Sequence, residues 1–188
     1  MAREIHSKGV ALRSFLTTAE RLFGPAWYER FLTRLPPDLQ SAIATRQLIP
    51  SGWYPVAWHR AMHRAAQAEA SRGVTLAREL GKATAADDFR GIYKWVASLL
   101  SPETVVKQSA RVFGNYFKDG VLDVIEASKG RAQLAFRGCY GFDRNVWENV
   151  LGGTEAALEA AGARDVVLVV TRGGQDGDSS LDVTARWS

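Results

Sequence analysis

The spacing of apolar residues first turns from helical to alternating at Val121, and that change limits the fold more than any other feature. Ahead of it, apolar side chains recur three and four positions apart, as on one face of a helix. Val10, Leu12, Phe15, Leu16, Ala19, Leu22 and Phe23 form the first such stripe. Beyond it they alternate, as on one face of a strand: Ala132, Leu134 and Phe136 with Gln133 between, then Leu181, Val183, Ala185 and Trp187 with Asp182, Thr184 and Arg186 between. Helices gathered at one end and strands at the other predict an α+β fold.

Stop and start signals divide the first part into five or six helices. Gly24 closes 10–23, and Pro25 suits the first turn of a helix over about 25–35. Pro36-Pro37 ends that one, and a short helix covers 38–46. Two prolines and a glycine make Leu48-Ile49-Pro50-Ser51-Gly52-Trp53-Tyr54-Pro55 an ordered turn. Helices follow over 56–71 and about 74–100, where Gly81 and Gly91 predict a kink or a close helix contact. Ser101 caps the next, with Pro102 in its first turn and Lys118-Asp119-Gly120 as its stop. In the second part 121–127 and 132–137 make a hairpin. Asp143 caps a helix to about Ala161, and Gly152-Gly153 inside it require a neighbour that approaches closely. A buried strand over 165–171 and a last strand ending at Trp187, free to be a sheet edge, complete the chain. The expected architecture is an N-terminal helical part, 1–118, packed on a four-stranded antiparallel sheet, 119–188, of order strand-strand-helix-strand-strand, together one domain over 1–188.

Composition removes several classes of function. An apolar fraction of 46% over 188 residues buries a core without staples, and one cysteine leaves no disulfide framework or cysteine zinc cage. The longest aliphatic run, Val166 to Val170, is too short to span a bilayer, and 1–15 has no signal-peptide core, so a cytoplasmic protein is expected. Residues 1–118 carry 17 Lys/Arg against 9 Asp/Glu, and 119–188 carry 7 against 11. The basic half suits an acidic partner, and the opposed signs suit a homodimer. Nucleic-acid binding is the weaker reading, since no recognised binding motif accompanies the charge.

Several strings together resemble a known family: Leu48 to Pro55, Glu79-Leu80-Gly81-Lys82-Ala83, Tyr116-Phe117-Lys118-Asp119-Gly120, Gly162-Ala163-Arg164-Asp165-Val166 and the final strand to Trp187. They resemble a large paralogous family of unknown function in myxobacteria. That family is similar to the 4-vinyl reductase-like domains and, more distantly, to haem-dependent nitric-oxide/oxygen-binding domains. The resemblance runs from about residue 8 to the end. It implies a ligand pocket between helices and sheet, and a sensory or protein-interaction module in place of an enzyme. The chain departs from the haem-binding relatives in two places. It has no Tyr-x-Ser-x-Arg string, and the stretch where their proximal histidine follows the long helices reads Val112-Phe113-Gly114-Asn115-Tyr116-Phe117. Fold similarity therefore does not carry haem with it.

No reactive set stands out. His59 and His63, four apart on a helix, share a face as metal or haem ligation requires, but no third ligand lies near in sequence; the simpler expectation is a partly exposed pair on a basic helix. Asp87-Asp88 point about 100° apart on a helix and are no carboxylate dyad; a solvated turn is expected. Asp176 and Asp178 read as a polar hairpin turn, and Cys139 as an ordinary thiol. Aromatic residues crowd the helical part, and Trp53, Tyr54, Tyr93, Phe113, Tyr116 and Phe117 are the candidate walls of a pocket for a small apolar or acidic ligand. His59, Arg111 and Arg137 are the candidate polar contacts. The expected function is non-enzymatic: small-molecule sensing or protein–protein interaction, with no cofactor, and with haem or metal binding through His59 or His63 as the alternative.

Overall fold

A computed structural model describes residues 4–90 and 100–188, and so leaves Tyr93, Gly91 and the predicted end of the fifth helix outside the described residues. The chain is α+β. Strand β1 (His6–Lys8) leads into helices α1 (Gly9–Phe23), α2 (Pro25–Thr33) and α3 (Pro37–Ala44). Strand β2 (Trp53–Pro55) precedes α4 (Val56–Ala70) and α5 (Thr75–Arg90). After α6 (Pro102–Tyr116) come β3 (Phe117–Lys118), β4 (Val121–Ser128), β5 (Arg131–Arg137), α7 (Arg144–Ala160), β6 (Val167–Gly173) and β7 (Leu181–Arg186).

Local chemistry sets most of these limits. Gly24 takes φ 83°, ends α1 by donating its N–H to the Glu20 carbonyl, and hands over to Pro25 in the first turn of α2. Ser101 Oγ accepts from the Thr104 N–H at 3.3 Å, and Asp143 Oδ1 accepts from the Val146 N–H at 3.1 Å, so both predicted caps are present. The predicted close approach is present at Gly81 and Gly152, but not at Gly153, where a Cβ would meet only Ala85 at 3.9 Å. A Cβ on Gly81 would lie 2.2 Å from the Asn149 carbonyl oxygen, and one on Gly152 would lie 2.1 Å from that of Arg78. Helices α5 and α7 thus cross backbone against backbone. Arg78 flanks the crossing with Glu155 at 2.6 Å and Glu148 at 3.2 Å, and Lys82 with Glu159 at 2.7 Å.

Four expectations need correction. The first 118 residues are not helical throughout: β1 pairs antiparallel with both β2 and β3 to make a small sheet of order β2-β1-β3. Strands of two or three residues carry no periodicity and form only because the folded chain brings them together. The sixth helix ends at Tyr116, before the predicted stop, because Phe117 is already extended. The main sheet runs β4-β5-β7-β6, all antiparallel, so the strand ending near Trp187 is interior and β4 and β6 are the edges. Finally, β6 is not a buried strand: Val167, Val169 and Val170 are 53%, 47% and 40% exposed. An apolar run announces a strand but not whether both of its faces are covered.

Two clusters make the core. One gathers Leu12, Phe15, Phe31, Met62 and Leu80 from the helices. The other joins Leu134, Phe136 and Val183 of the sheet to Val146, Trp147 and Leu151 of α7, and to Ile5, Val56, Val106, Phe113 and Phe117 from ahead of residue 118. Apolar burial is therefore shared across the point where the periodicity changes.

Candidate functional site

The two clusters meet along α4. This helix is rich in alanine, starts directly after Pro55, and turns Val56, His59, Met62, His63 and Ala66 inward at three- and four-residue spacing. The expected partly exposed histidine pair is instead buried, His59 at 2% exposure and His63 at 0%. Their rings stack, with centroids 5.2 Å apart. Phe15 of α1 meets the His63 ring edge-on at 4.9 Å, and Phe117 of β3 stacks on His59 at 6.0 Å. Phe117 in turn touches Phe142 at 4.9 Å, and Phe142 touches Trp147 at 4.7 Å. A continuous file of rings thus runs from the helical cluster to the sheet cluster, with the histidines at its middle.

The small sheet fixes this seam. In the β1–β2 register Ser7 lies opposite Tyr54, and in β1–β3 it lies opposite Phe117. Ser7 is buried, and its Oγ stands 3.4 Å from His59 Nδ1, the long limit of a hydrogen bond. Among the described residues neither His63 nitrogen has a hydrogen-bond partner. Burial lowers His59 from 6.5 to about 4, and burial, with His59 beside it, holds His63 well below 6.5, so both imidazoles are neutral at pH 7.

Of the predicted pocket residues, the structure brings together His59, Phe113 and Phe117; Phe113 touches Phe117 at 5.1 Å. Trp53 lies instead under Lys8, whose Nζ is 4.2 Å from the ring. Tyr54 latches the preceding loop: its hydroxyl donates to the Gln47 carbonyl at 2.6 Å and accepts from the Ile49 N–H at 2.8 Å. Tyr116 is half-buried and hydrogen-bonds Asp88. Arg111 is exposed on α6. Arg137 points to the outer face of the sheet, where it pairs with Asp182 at 2.5 Å and lines an open depression of about 210 Å³ with Ile125, Gln133, Ala135 and Thr184. Neither arginine belongs to the ring file, and Tyr93 lies outside the described residues. Sequence reasoning did not single out Ser7, Phe15, Phe142 or Trp147 for this site. The one signal for Phe15 and Trp147 was their place on the inward faces of α1 and α7.

The remaining polar candidates are structural. Asp87 and Asp88 lie on α5, not in a solvated turn, and tie it to α1: Thr18 and Arg21 donate to Asp87, and Ser14 donates to Asp88. Asp176 accepts from the Arg144 N–H at the start of α7, and Asp178 accepts within its own turn. The Cys139 thiol is buried and pushed up to about 12, which keeps it protonated and unreactive. Among the described residues no group of three or more metal-binding side chains converges, and no helix is long and apolar enough to cross a membrane.

No family model and no curated protein matches the sequence. Solved structures do match, over nearly their full length. A point variant of the Fe(II) unliganded H-NOX protein of K. algicida is 12% identical, with 96% of each chain covered and a TM-score of 0.70. An oxygen-binding H-NOX domain related to soluble guanylate cyclases, in its oxygen complex, is 15% identical, with 96% of this chain and 95% of that one covered and a TM-score of 0.68. A protein studied for heme redox potential under porphyrin distortion is 16% identical, with 95% and 99% covered and a TM-score of 0.69. The chain has the H-NOX fold.

Proposed function

We propose that this chain is a non-enzymatic, cytoplasmic signalling module that senses a small apolar or acidic molecule or engages a protein partner. Its output is the packing of the helical layer on the sheet. The reading extends the resemblance to the myxobacterial family and the 4-vinyl reductase-like domains. The observation that carries it is the seam: a file of aromatic and imidazole rings joins two apolar clusters along one helix. A change of packing at that seam shifts one layer against the other, which is how a ligand redistributes two packed states. The buried, protonated thiol and the carboxylates tied up between α1 and α5 support a role other than catalysis.

Haem is the group named with a similar structure, and we take this chain as haem-free on the packing of the described seam. The chemistry of a neutral imidazole suits an axial ligand. Yet both faces of the His59 ring are covered, by the His63 and Phe117 rings, and Phe15 meets the His63 ring edge-on.

Two measurements test the proposal. Protein purified after haem supplementation is expected to show no Soret absorption; a stoichiometric haem spectrum overturns the haem-free reading. Thermal-shift screening against apolar carboxylates and nucleotides, paired with partner capture at pH 7.5, is expected to yield a ligand or a partner. No response in either removes the signalling role.

A further inference from the structure

We propose that the seam is a proton-responsive hinge: His59 and His63, stacked between Phe15 of the helical cluster and Phe117 of the sheet cluster, hold the two layers together only while both rings are uncharged. The inference rests on the reading above, that layer packing carries the signal, and it names the proton as an input.

Geometry supplies the argument. The pair sits where the two clusters touch, so anything that expels it parts them. An imidazolium needs a hydrogen-bond acceptor for each N–H. Among the described residues His63 has none at either nitrogen, and His59 has a serine oxygen at 3.4 Å. Two cations four residues apart on one helix face also repel.

The charged groups of the surrounding elements are engaged elsewhere. On α4 itself, Arg60 pairs with Glu4 and Arg64 with Asp143, while Glu69 holds Arg30 and Arg34 of α2. On α1, Arg13 donates to the Leu48 carbonyl and Arg21 pairs with Asp87 of α5, whose neighbour Asp88 accepts from Ser14. Strand β1 turns Ser7 inward, so His6 and Lys8 lie on its opposite face, and on β3 Lys118 is exposed next to the buried Phe117. From α7 the pair meets no free acid, because Asp143 caps that helix and holds Arg64. Among the described residues, burial acts on both rings, His59 adds to it at His63, and no carboxylate offsets either.

The consequence is a linkage. An open seam exposes both rings to water, where they take protons near pH 6.5; the closed seam takes none until far lower pH. Between pH 7.5 and pH 5.5 each histidine therefore raises the open-to-closed ratio about tenfold, and the pair about a hundredfold.

Amide hydrogen exchange of the whole chain reads this directly, once corrected for the intrinsic pH dependence of exchange. From pH 7.5 to 5.5, α4, β1 and β3 are expected to lose about a hundredfold in protection, and the α5–α7 crossing much less. In His63→Phe the loss falls to about tenfold. Equal loss throughout the chain, no loss at the seam, or the same loss in the variant overturns the hinge. If the variant does not fold, imidazole NMR titration of the unaltered protein decides. A buried histidine that titrates near pH 6.5 while the seam amides stay protected refutes the proposal, and uptake of protons only together with seam opening supports it. A flat pH response removes the hinge alone, because the signalling role is tested by binding at fixed pH.

Discussion

Gly152 and Gly153 are neighbours on α7, yet alanine at the two positions is expected to have opposite effects. In a helix interior alanine is favoured over glycine by about 1 kcal/mol, a gain available to both. At Gly153 the new Cβ would lie 3.9 Å from the Ala85 Cβ, an ordinary contact, so the gain is kept. At Gly152 it would lie 2.1 Å from the Arg78 carbonyl oxygen and 2.8 Å from the Lys82 nitrogen. Both are backbone atoms of α5 and cannot swing aside. To restore ordinary contact the helices must separate by roughly 1.3 Å, which loosens the whole crossing. Overpacking of this kind costs about 1–3 kcal/mol, and a backbone obstacle puts this site at the upper end, leaving a net loss of about 2 kcal/mol. For a domain of this size that corresponds to a fall in Tm of about 4–8 °C for Gly152→Ala, against a rise of about 1–4 °C for Gly153→Ala. Thermal and urea unfolding of both variants measure it. A Gly152→Ala protein as stable as the parent, or equal losses at both sites, refutes the close α5–α7 crossing.

Two further outcomes follow from the same contacts. Asp143→Ala removes the cap of α7 and the Arg64 ion pair together and is expected to cost about 1–2 kcal/mol in urea unfolding, while Asp143→Asn keeps most of the cap. Global stability is expected to fall with pH, because the unfolded chain protonates His59 near 6.5 and the folded one only near 4: stability contributed by the neutral ring is complete above pH 6.5 and is lost as pH drops toward 4, about 2 kcal/mol of it between pH 7 and pH 5. Chemical denaturation at stepped pH checks this, and a His59→Leu protein with the same slope contradicts the assignment.

What the sequence disclosed, and what it withheld, divides along physical lines. Caps act on atoms one turn away, so Ser101 and Asp143 were readable where they stand. A glycine pair in the middle of a helix is costly without a reason, and so Gly152 announced a close neighbour before α5 was known to be that neighbour. The change of period at Val121 marked the start of the main sheet to the residue. The small sheet was silent, since Ser7 and Phe117 become strand residues only through partners some fifty and a hundred positions away in the chain. Burial of His59 and His63 was hidden for a related reason. Two histidines among arginines on an alanine-rich helix suit a wet face and a dry one equally, and what decides between them is Phe15 and Phe117, brought from either side.

That last point separates the residues that set the fold from those that line the seam. The elements that set the architecture here are the α5–α7 crossing, the capped start of α7 and the β5–β7 pairing, and none of them contributes a ring to the middle of the seam. The seam itself is held by rings from α1, α4 and β3. Substitution of those rings changes what fills the space between the layers while leaving the backbone crossing intact. A chain 12–16% identical to these structures can therefore retain their fold over 95–96% of its length while its inward side chains differ. On this argument the identity of the signal is written in a handful of inward positions on α1, α4 and β3. Changes there are expected to alter the response to pH or ligand long before they alter the fold.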